Sequence, residues 1–219
     1  LENGIVITAF FAISYTVIAG MYSVVYTDVV NGIIITFGTI FALVFLTIKV
    51  GGVTEISAIA QSFGKMQPFG NWHLEKIGKV SGPVLAISFF VPTMLLLMGD
   101  ANMYQRIFSA KNGGSAKKAV FFWIFGVIIL ETVISLLGLV GFVATIKGFI
   151  PNLVTEAQTG LTDPHALIEA RQSGSESVIP AIAKFAGLPT VISLLLVSSM
   201  MAIIVSTADS FLLIPSTNI

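Results

Sequence analysis

Charged residues are scarce in this chain. Its 219 residues include 11 Lys and Arg and 11 Asp and Glu, so charged side chains make up 10% of the sequence. Soluble domains usually carry about 25% charged residues, and the shortage argues against an ordinary soluble protein. The formal net charge is zero, which leaves no basic excess to attract nucleic acid. We therefore expect no nucleic-acid partner.

Cysteine is absent, which excludes disulfides, thiol catalysis and cysteine-bound metals. The two histidines, His73 and His165, do not have the spacing of a metal-binding pair. The opening residues LENGIVITAF contain Glu2 but neither a Met nor a basic region, so they do not form a signal peptide. We expect the chain to be an internal piece of a longer protein, and we expect its first residue to lie inside a helix.

Long apolar stretches are abundant instead. Apolar residues make up 55% of the sequence, and the mean hydropathy is +0.96. A helix needs about 20 apolar residues to cross a bilayer. Five stretches reach or approach this length, at residues 4–20, 29–49, 82–103, 119–146 and 188–213. The sequence thus predicts an all-α, multi-pass protein of the cell membrane with five transmembrane helices.

The distribution of Lys and Arg predicts which side of the membrane each loop faces, because basic loops stay in the cytoplasm. The loop 104–118 has four basic residues and no acid, which places it inside. The connection 147–187 has three basic and four acidic residues and belongs outside. Alternation then puts the loop 51–80 outside and a tight turn around 22–28 inside. Short helices in the outer connection suit either a lid over a cavity or surface packing.

The last span carries a cluster of polar residues within MAIIVSTADS. Ser206, Asp209 and Ser210 share one helix face through their i, i+3 and i+4 spacing. The Ser206 hydroxyl and the Ile203 carbonyl can converge on one point, with Thr207 beside them. Such neutral, hard oxygens suit a weakly held monovalent cation. From spacing alone, helix packing through small polar residues also accounts for this cluster.

The third span is interrupted by Pro92 and Gly99. A hydrophobic segment broken in this way is typical of a discontinuous transporter helix at a substrate site, although an ordinary proline kink also fits. Thr93 and Leu96, within this segment, are the candidate substrate contacts.

Three further ionisable residues lie in or beside the spans. Asp100 and Arg106 fall at the predicted inner end of the third span, where Arg106 can pair with Asp100 or Asp28. Glu131 falls in the middle of the fourth span, where it can relay a cation or hydrogen-bond another helix. We consider Asp100, Arg106 and Glu131 candidates for an inner gate or relay.

Three segments resemble the sodium:solute symporter family, which includes sodium-coupled sugar, proline, sialic acid and iodide carriers. They are YTVIAGMYSVVYTDVVNG, GDANMYQRIFSAKNGGSAKKA and IIVSTADSFLL, and they occur in the family's order. Ala19 stands where the family has a Gly, and Tyr26 stands where it has a Trp. The resemblance covers most of the chain.

The resemblance implies a fold built as an inverted repeat of five plus five helices. Residues 1–219 would then form a partial transporter domain, core helices four to eight, which packs in the bilayer against the remaining helices of the same transporter. The implied coupling ion is Na⁺. Its main site would use the Ile203 carbonyl and the hydroxyls of Ser206 and Thr207, completed by helix one. The positions that match a possible second sodium site are Asp28, Ser206, Asp209 and Ser210.

The function implied is sodium-coupled symport of a small solute by alternating access, without enzymatic activity. The stretch 89–98 has Thr93 as its only polar side chain, which argues against a sugar held as in the sugar carriers. A transporter-like sensor domain of a signalling protein is one alternative. An intramembrane aspartyl protease using Asp28 and Asp100 is another, although Thr27 separates Asp28 from Tyr26 and breaks the expected Tyr-Asp pair.

Overall fold

The structure, a computed structural model, is almost entirely helical. It describes residues 2–64, 66, 73–74, 78–79, 82–153, 160, 169, 173–174 and 176–217. The helices are α1 (Glu2–Lys49), α2 (Gly52–Ser62), α3 (Gly82–Met98), α4 (Ala101–Phe108), α5 (Gly113–Ile146), α6 (Val178–Phe185) and α7 (Thr190–Thr217). Two short strands, β1 (His73–Leu74) and β2 (Gly78–Lys79), pair antiparallel with His73 opposite Lys79.

The chain divides into two compact units. The first contains residues 1–52 and 127–219, and the second contains residues 53–126. Within the described residues, three helical segments are long and apolar enough to cross a membrane: Val24–Lys49, Gly113–Ile146 and Thr190–Ala208. These correspond to the second, fourth and fifth predicted spans, so the predicted count of five is not reproduced.

Helix α1 accounts for part of the difference, because it joins the first two predicted spans. The predicted turn around 22–28 does not form, and α1 runs on for 48 residues, about 72 Å. The segment contains no proline, and Thr27 bonds back to the carbonyl of Val24 at 3.0 Å, as a helical threonine does. Asp28 therefore lies within a helix and not at its start.

The third predicted span is divided at Gly99. Helix α3 ends at Met98 and α4 begins at Ala101. The Gly99 amide donates to the carbonyls of both Leu95 and Leu96 at 3.1 Å, which tightens the last turn before the chain leaves the helix. Pro92 lies inside α3 and does not end it, so of the two predicted interruptions only the glycine separates helices.

The core of the first unit is the antiparallel contact between α1 and α7. A Cβ atom at Gly38 would lie 2.9 Å from the Leu195 carbonyl oxygen and closer still to the Ser199 hydroxyl. The Ser199 hydroxyl donates to the carbonyls of Leu195 at 2.7 Å and Ile34 at 3.0 Å. Small residues here let the two backbones approach each other closely, as in many membrane proteins.

The other helices of the first unit meet near the C-terminal end of α1. The Lys49 ammonium donates to the Ala186 carbonyl at 2.5 Å, and the Lys147 ammonium donates to the Val50 carbonyl at 2.6 Å. Both bonds satisfy carbonyls at helix ends, where lysine is favoured. Helix α6, one of the short helices expected in the outer connection, follows the stretch 154–172, most of which lies outside the described residues.

Candidate functional site

The most informative contact joins the middle of α1 to the second half of α7. The Ser206 hydroxyl donates a hydrogen bond to Oδ1 of Asp28 at 2.5 Å, across 178 positions of sequence. Both side chains are half-buried. A carboxylate at this depth of an apolar helix is costly, and such groups usually mark an ion or substrate path.

The helix-helix packing determines where this contact forms. Ser199, Ala202 and Ser206 follow one another at intervals of three and four residues, so they share one face of α7. Ser199 and Ala202 are 1% and 7% exposed, which shows that this face contacts α1. The same register continues toward the N-terminal part of α1 and brings Ser206 opposite Asp28.

The predicted partners of Ser206 on its own helix are arranged differently. The Ile203 carbonyl accepts a bond from Thr207 Oγ1 at 2.8 Å, while Ser206 donates to Asp28 instead. The reason is that a carboxylate is a stronger acceptor than a neutral carbonyl. Ile203 and Thr207 are exposed. The structure thus joins the Ile203 carbonyl and the Thr207 hydroxyl on an exposed face of α7, and it turns the third predicted main-site residue, Ser206, toward Asp28 on α1.

Two members of the possible second site are only partly described. Asp209 and Ser210 belong to the helical backbone of α7, but their side chains lie outside the described part of the structure. Of the predicted group, Asp28 and Ser206 are in contact. Assignment of these oxygens to sodium remains a prediction.

A third polar residue at this position was missed by the sequence analysis. Asn31 lies one turn after Asp28 on α1, and its Nδ2 is buried with no hydrogen-bond partner among the described residues. The i, i+3 spacing from Asp28 was the available signal. Buried amides are nearly always paired, so an unpaired one indicates a site for water or another small ligand. An amide nitrogen donates hydrogen bonds and does not bind a cation, so the oxygens available here to a hard cation are those of Asp28 and Ser206.

The substrate candidates lie in the other compact unit. Thr93 and Leu96 are both on α3 and both exposed, with Leu96 at 75%. Their surroundings identify no substrate class, and their role remains a prediction.

The gate candidates separate into two places. Asp100 and Arg106 line one cavity of about 270 Å³ between α4 and the first turns of α5. Glu131 lies on an exposed part of α5 that belongs to the first unit. The structure therefore groups Asp100 with Arg106 and does not place Glu131 in that cavity.

The comparison with protein families agrees with the resemblance read from the three motifs. A model of the sodium:solute symporter family matches residues 1–219. No curated protein matches the chain significantly, and neither does any solved structure. The family is one of membrane transporters and not a class of enzymes. The chain belongs to the sodium:solute symporter family.

Proposed function

We propose that this chain forms part of a multi-pass carrier of the cell membrane that couples sodium entry to uptake of a small solute by alternating access. One observation carries the proposal: the 2.5 Å bond between Ser206 and Asp28, which joins α7 to α1 through two oxygens suited to sodium. Family membership supports sodium coupling, and the contact supports our choice of Asp28 and Ser206 as residues of the site.

The proposed site has the charge that a cation requires. Asp28 supplies a negative charge, and Ser206 supplies a neutral oxygen. The Ser206 hydroxyl can donate its hydrogen to Asp28 and still offer oxygen lone pairs to an ion. Sodium bound beside the carboxylate would offset the cost of keeping that charge in an apolar helix.

To drive transport, sodium must bind one conformation of the carrier more tightly than the other. An ion with equal affinity for both states shifts nothing, however tightly it binds. In our proposal the ion also contacts the Ile203 carbonyl and Thr207, whose exposed face of α7 is free to meet another helix. Separation of that helix from α7 would remove ligands and weaken sodium binding.

The solute is proposed to bind along α3 between Pro92 and Gly99, where Thr93 and Leu96 lie. The chain leaves the helix just after this segment, and non-helical backbone in a membrane must line a cavity or be buried in protein. The apolar character of α3 favours amino acids, carboxylates, vitamins or other small solutes over a sugar held in the manner of the sugar carriers.

The alternative functions have less support. An aspartyl protease needs one aspartate to act as a base toward water, whereas Asp28 accepts a bond from a serine. The matched family consists of transporters. A transporter-like sensor would use the same sodium site, and transport measured in proteoliposomes separates the two.

Replacement of Ser206 by Ala tests the site without knowledge of the solute. The intact protein in detergent is melted in NaCl or KCl at equal ionic strength, because a ligand of the folded state raises the melting temperature. Loss of a hydroxyl ligand near a charge should raise the sodium concentration for half-maximal stabilisation by about tenfold.

The matched control is Ser57→Ala, since the Ser57 hydroxyl donates to the Thr54 carbonyl one turn earlier in the same helix, α2. This variant should respond to sodium as the wild type does. An unchanged sodium midpoint in Ser206→Ala would remove Ser206 from the site.

A further inference from the structure

The cavity between α4 and α5 combines an apolar wall with charged side chains. Its volume is about 270 Å³, and it lies entirely within the second compact unit. Met103, Ile107 and Val120 form part of its apolar lining, and Arg106 and Asp100 contribute the charges. A site of this kind suits a ligand with a charged head and a hydrocarbon body.

The charge around the cavity is predominantly positive. Residues 101–130 contain four basic side chains and no acid, so Asp100 is the single acid among the lining residues. The basic residues are Arg106, Lys111, Lys117 and Lys118, all of them exposed. Such a cluster beside a membrane-crossing helix attracts anionic lipid headgroups.

The sequence along α5 places the cavity at the membrane boundary. Lys117 and Lys118 lie in the early turns of α5, and Phe121, Phe122 and Trp123 follow within the next two turns. Basic residues, then aromatic residues, then an apolar span is the order found where a helix enters the bilayer from the cytoplasm. Trp123 lines the cavity and is 47% exposed, so lipid can reach its ring.

We propose that this cavity binds an anionic phospholipid of the cytoplasmic leaflet. The phosphate would pair with Arg106 and with the lysines at the start of α5, and the upper acyl chain would lie on Ile107, Val120 and Trp123. Asp100 cannot lie beside a phosphate, but its carboxylate can accept a hydrogen bond from a headgroup hydroxyl such as those of phosphatidylglycerol. A soluble anion would leave the apolar wall unused.

The test measures quenching of Trp123 fluorescence by brominated lipids. In the intact protein, every tryptophan other than Trp123, Trp72 included, is replaced by Phe. The protein is then reconstituted in vesicles of phosphatidylcholine with rising fractions of brominated phosphatidylglycerol or brominated phosphatidylcholine. We expect phosphatidylglycerol to bind beside Trp123 more tightly than phosphatidylcholine, and each of Lys117→Gln and Lys118→Gln to lower this preference by about fivefold.

Lys184→Gln is the matched control, because Lys184 is an exposed lysine of the first unit that lies over the Phe185 ring. It should leave the preference unchanged. Equal quenching by the two lipids would overturn the proposal, as would a preference that survives both lysine substitutions. Absence of quenching by either lipid would mean that another protein segment covers the cavity, and this result would also overturn the proposal.

Native mass spectrometry of the tryptophan-containing protein tests the same proposal if the tryptophan variants do not fold. It compares the amount of phosphatidylglycerol that Lys117→Gln and Lys184→Gln retain, and we expect Lys117→Gln to retain less.

Discussion

Two serines of α7 contact α1, and they differ in what they bond. Ser199 is 1% exposed and donates to backbone carbonyls, including that of Ile34 on α1. Ser206, two turns later, is half-buried and donates to the Asp28 carboxylate. The first contact closes a tight helix crossing beside Gly38. The second contact involves the Asp28 carboxylate, and close packing of the two helices does not require a charged group.

On this single face of α7, we therefore assign Ser199 to helix packing and Ser206 to function. Both serines satisfy the small-residue pattern of membrane helix contacts. A carbonyl that accepts from Ser199 already has a partner in its own helix, so the added bond is a minor contribution. The Asp28 carboxylate requires compensation for its charge, and a cation is the compensation that a sodium symporter can use. If the two contacts are independent, a substitution at one of them should leave unchanged the property that the other controls.

Asp28→Asn should have the largest effect. It removes the charge proposed to attract sodium while keeping the shape and an oxygen that accepts from Ser206. Losing a charged ligand costs about 1.5–3 kcal/mol, so sodium affinity should fall by roughly 10- to 100-fold. The melting temperature in KCl should not fall, because the buried charge is gone. Thermal shift in NaCl against KCl measures both quantities.

The control for this substitution is Glu55→Gln, which neutralises an exposed acid in the first turn of α2. It should retain the wild-type sodium response. If Asp28→Asn retains it as well, the carboxylate is a packing group and the contrast with Ser199 disappears.

Gly38→Ala should affect stability and leave sodium affinity alone. The new Cβ would lie 2.9 Å from the Leu195 carbonyl oxygen, a backbone atom that cannot turn aside. Overpacking of this kind costs about 1–3 kcal/mol, and part of that is offset by the better helix propensity of alanine. The measurement is the melting temperature in KCl.

Gly32→Ala is the matched control, because a Cβ at Gly32 would meet no atom of another helix within 4 Å in the described part of the structure. It should melt at or slightly above the wild-type temperature, since alanine favours helix. Equal melting temperatures for the two alanine variants would show that α1 and α7 are not closely packed at Gly38.

The sequence was sufficient to predict the family and one of the helix faces that form the site. The order of three motifs predicted the symporter family, which the family model confirms. Helical spacing placed Ser206 on one face of the last predicted span together with Asp209 and Ser210. Spacing within one helix cannot name a partner 178 positions away, and only the family resemblance paired Asp28 with Ser206.

Other features depended on interactions that local patterns do not contain. The sequence predicted a turn near 22–28, yet the residues there include no proline and α1 continues through them. Pro92 was expected to interrupt the third span, but a helix can tolerate a proline, and the break falls at Gly99. Asn31 was overlooked because a single amide in an apolar stretch becomes notable only once its burial is known.

Ser199→Ala should have the smallest effect and sharpens the comparison most directly. It removes one hydrogen bond between α1 and α7 while the Ile34 carbonyl keeps its place in the helical ladder, and such bonds contribute about 0.6 kcal/mol on average in membrane proteins. We expect a slightly lower melting temperature in KCl and an unchanged sodium concentration for half-maximal stabilisation. Ser206→Ala, in contrast, should raise that sodium concentration. A shift of the sodium midpoint in Ser199→Ala comparable to that of Ser206→Ala would mean that sodium senses the whole α1–α7 contact. The ion would then report how closely the two helices approach, and not the presence of the oxygens around Asp28.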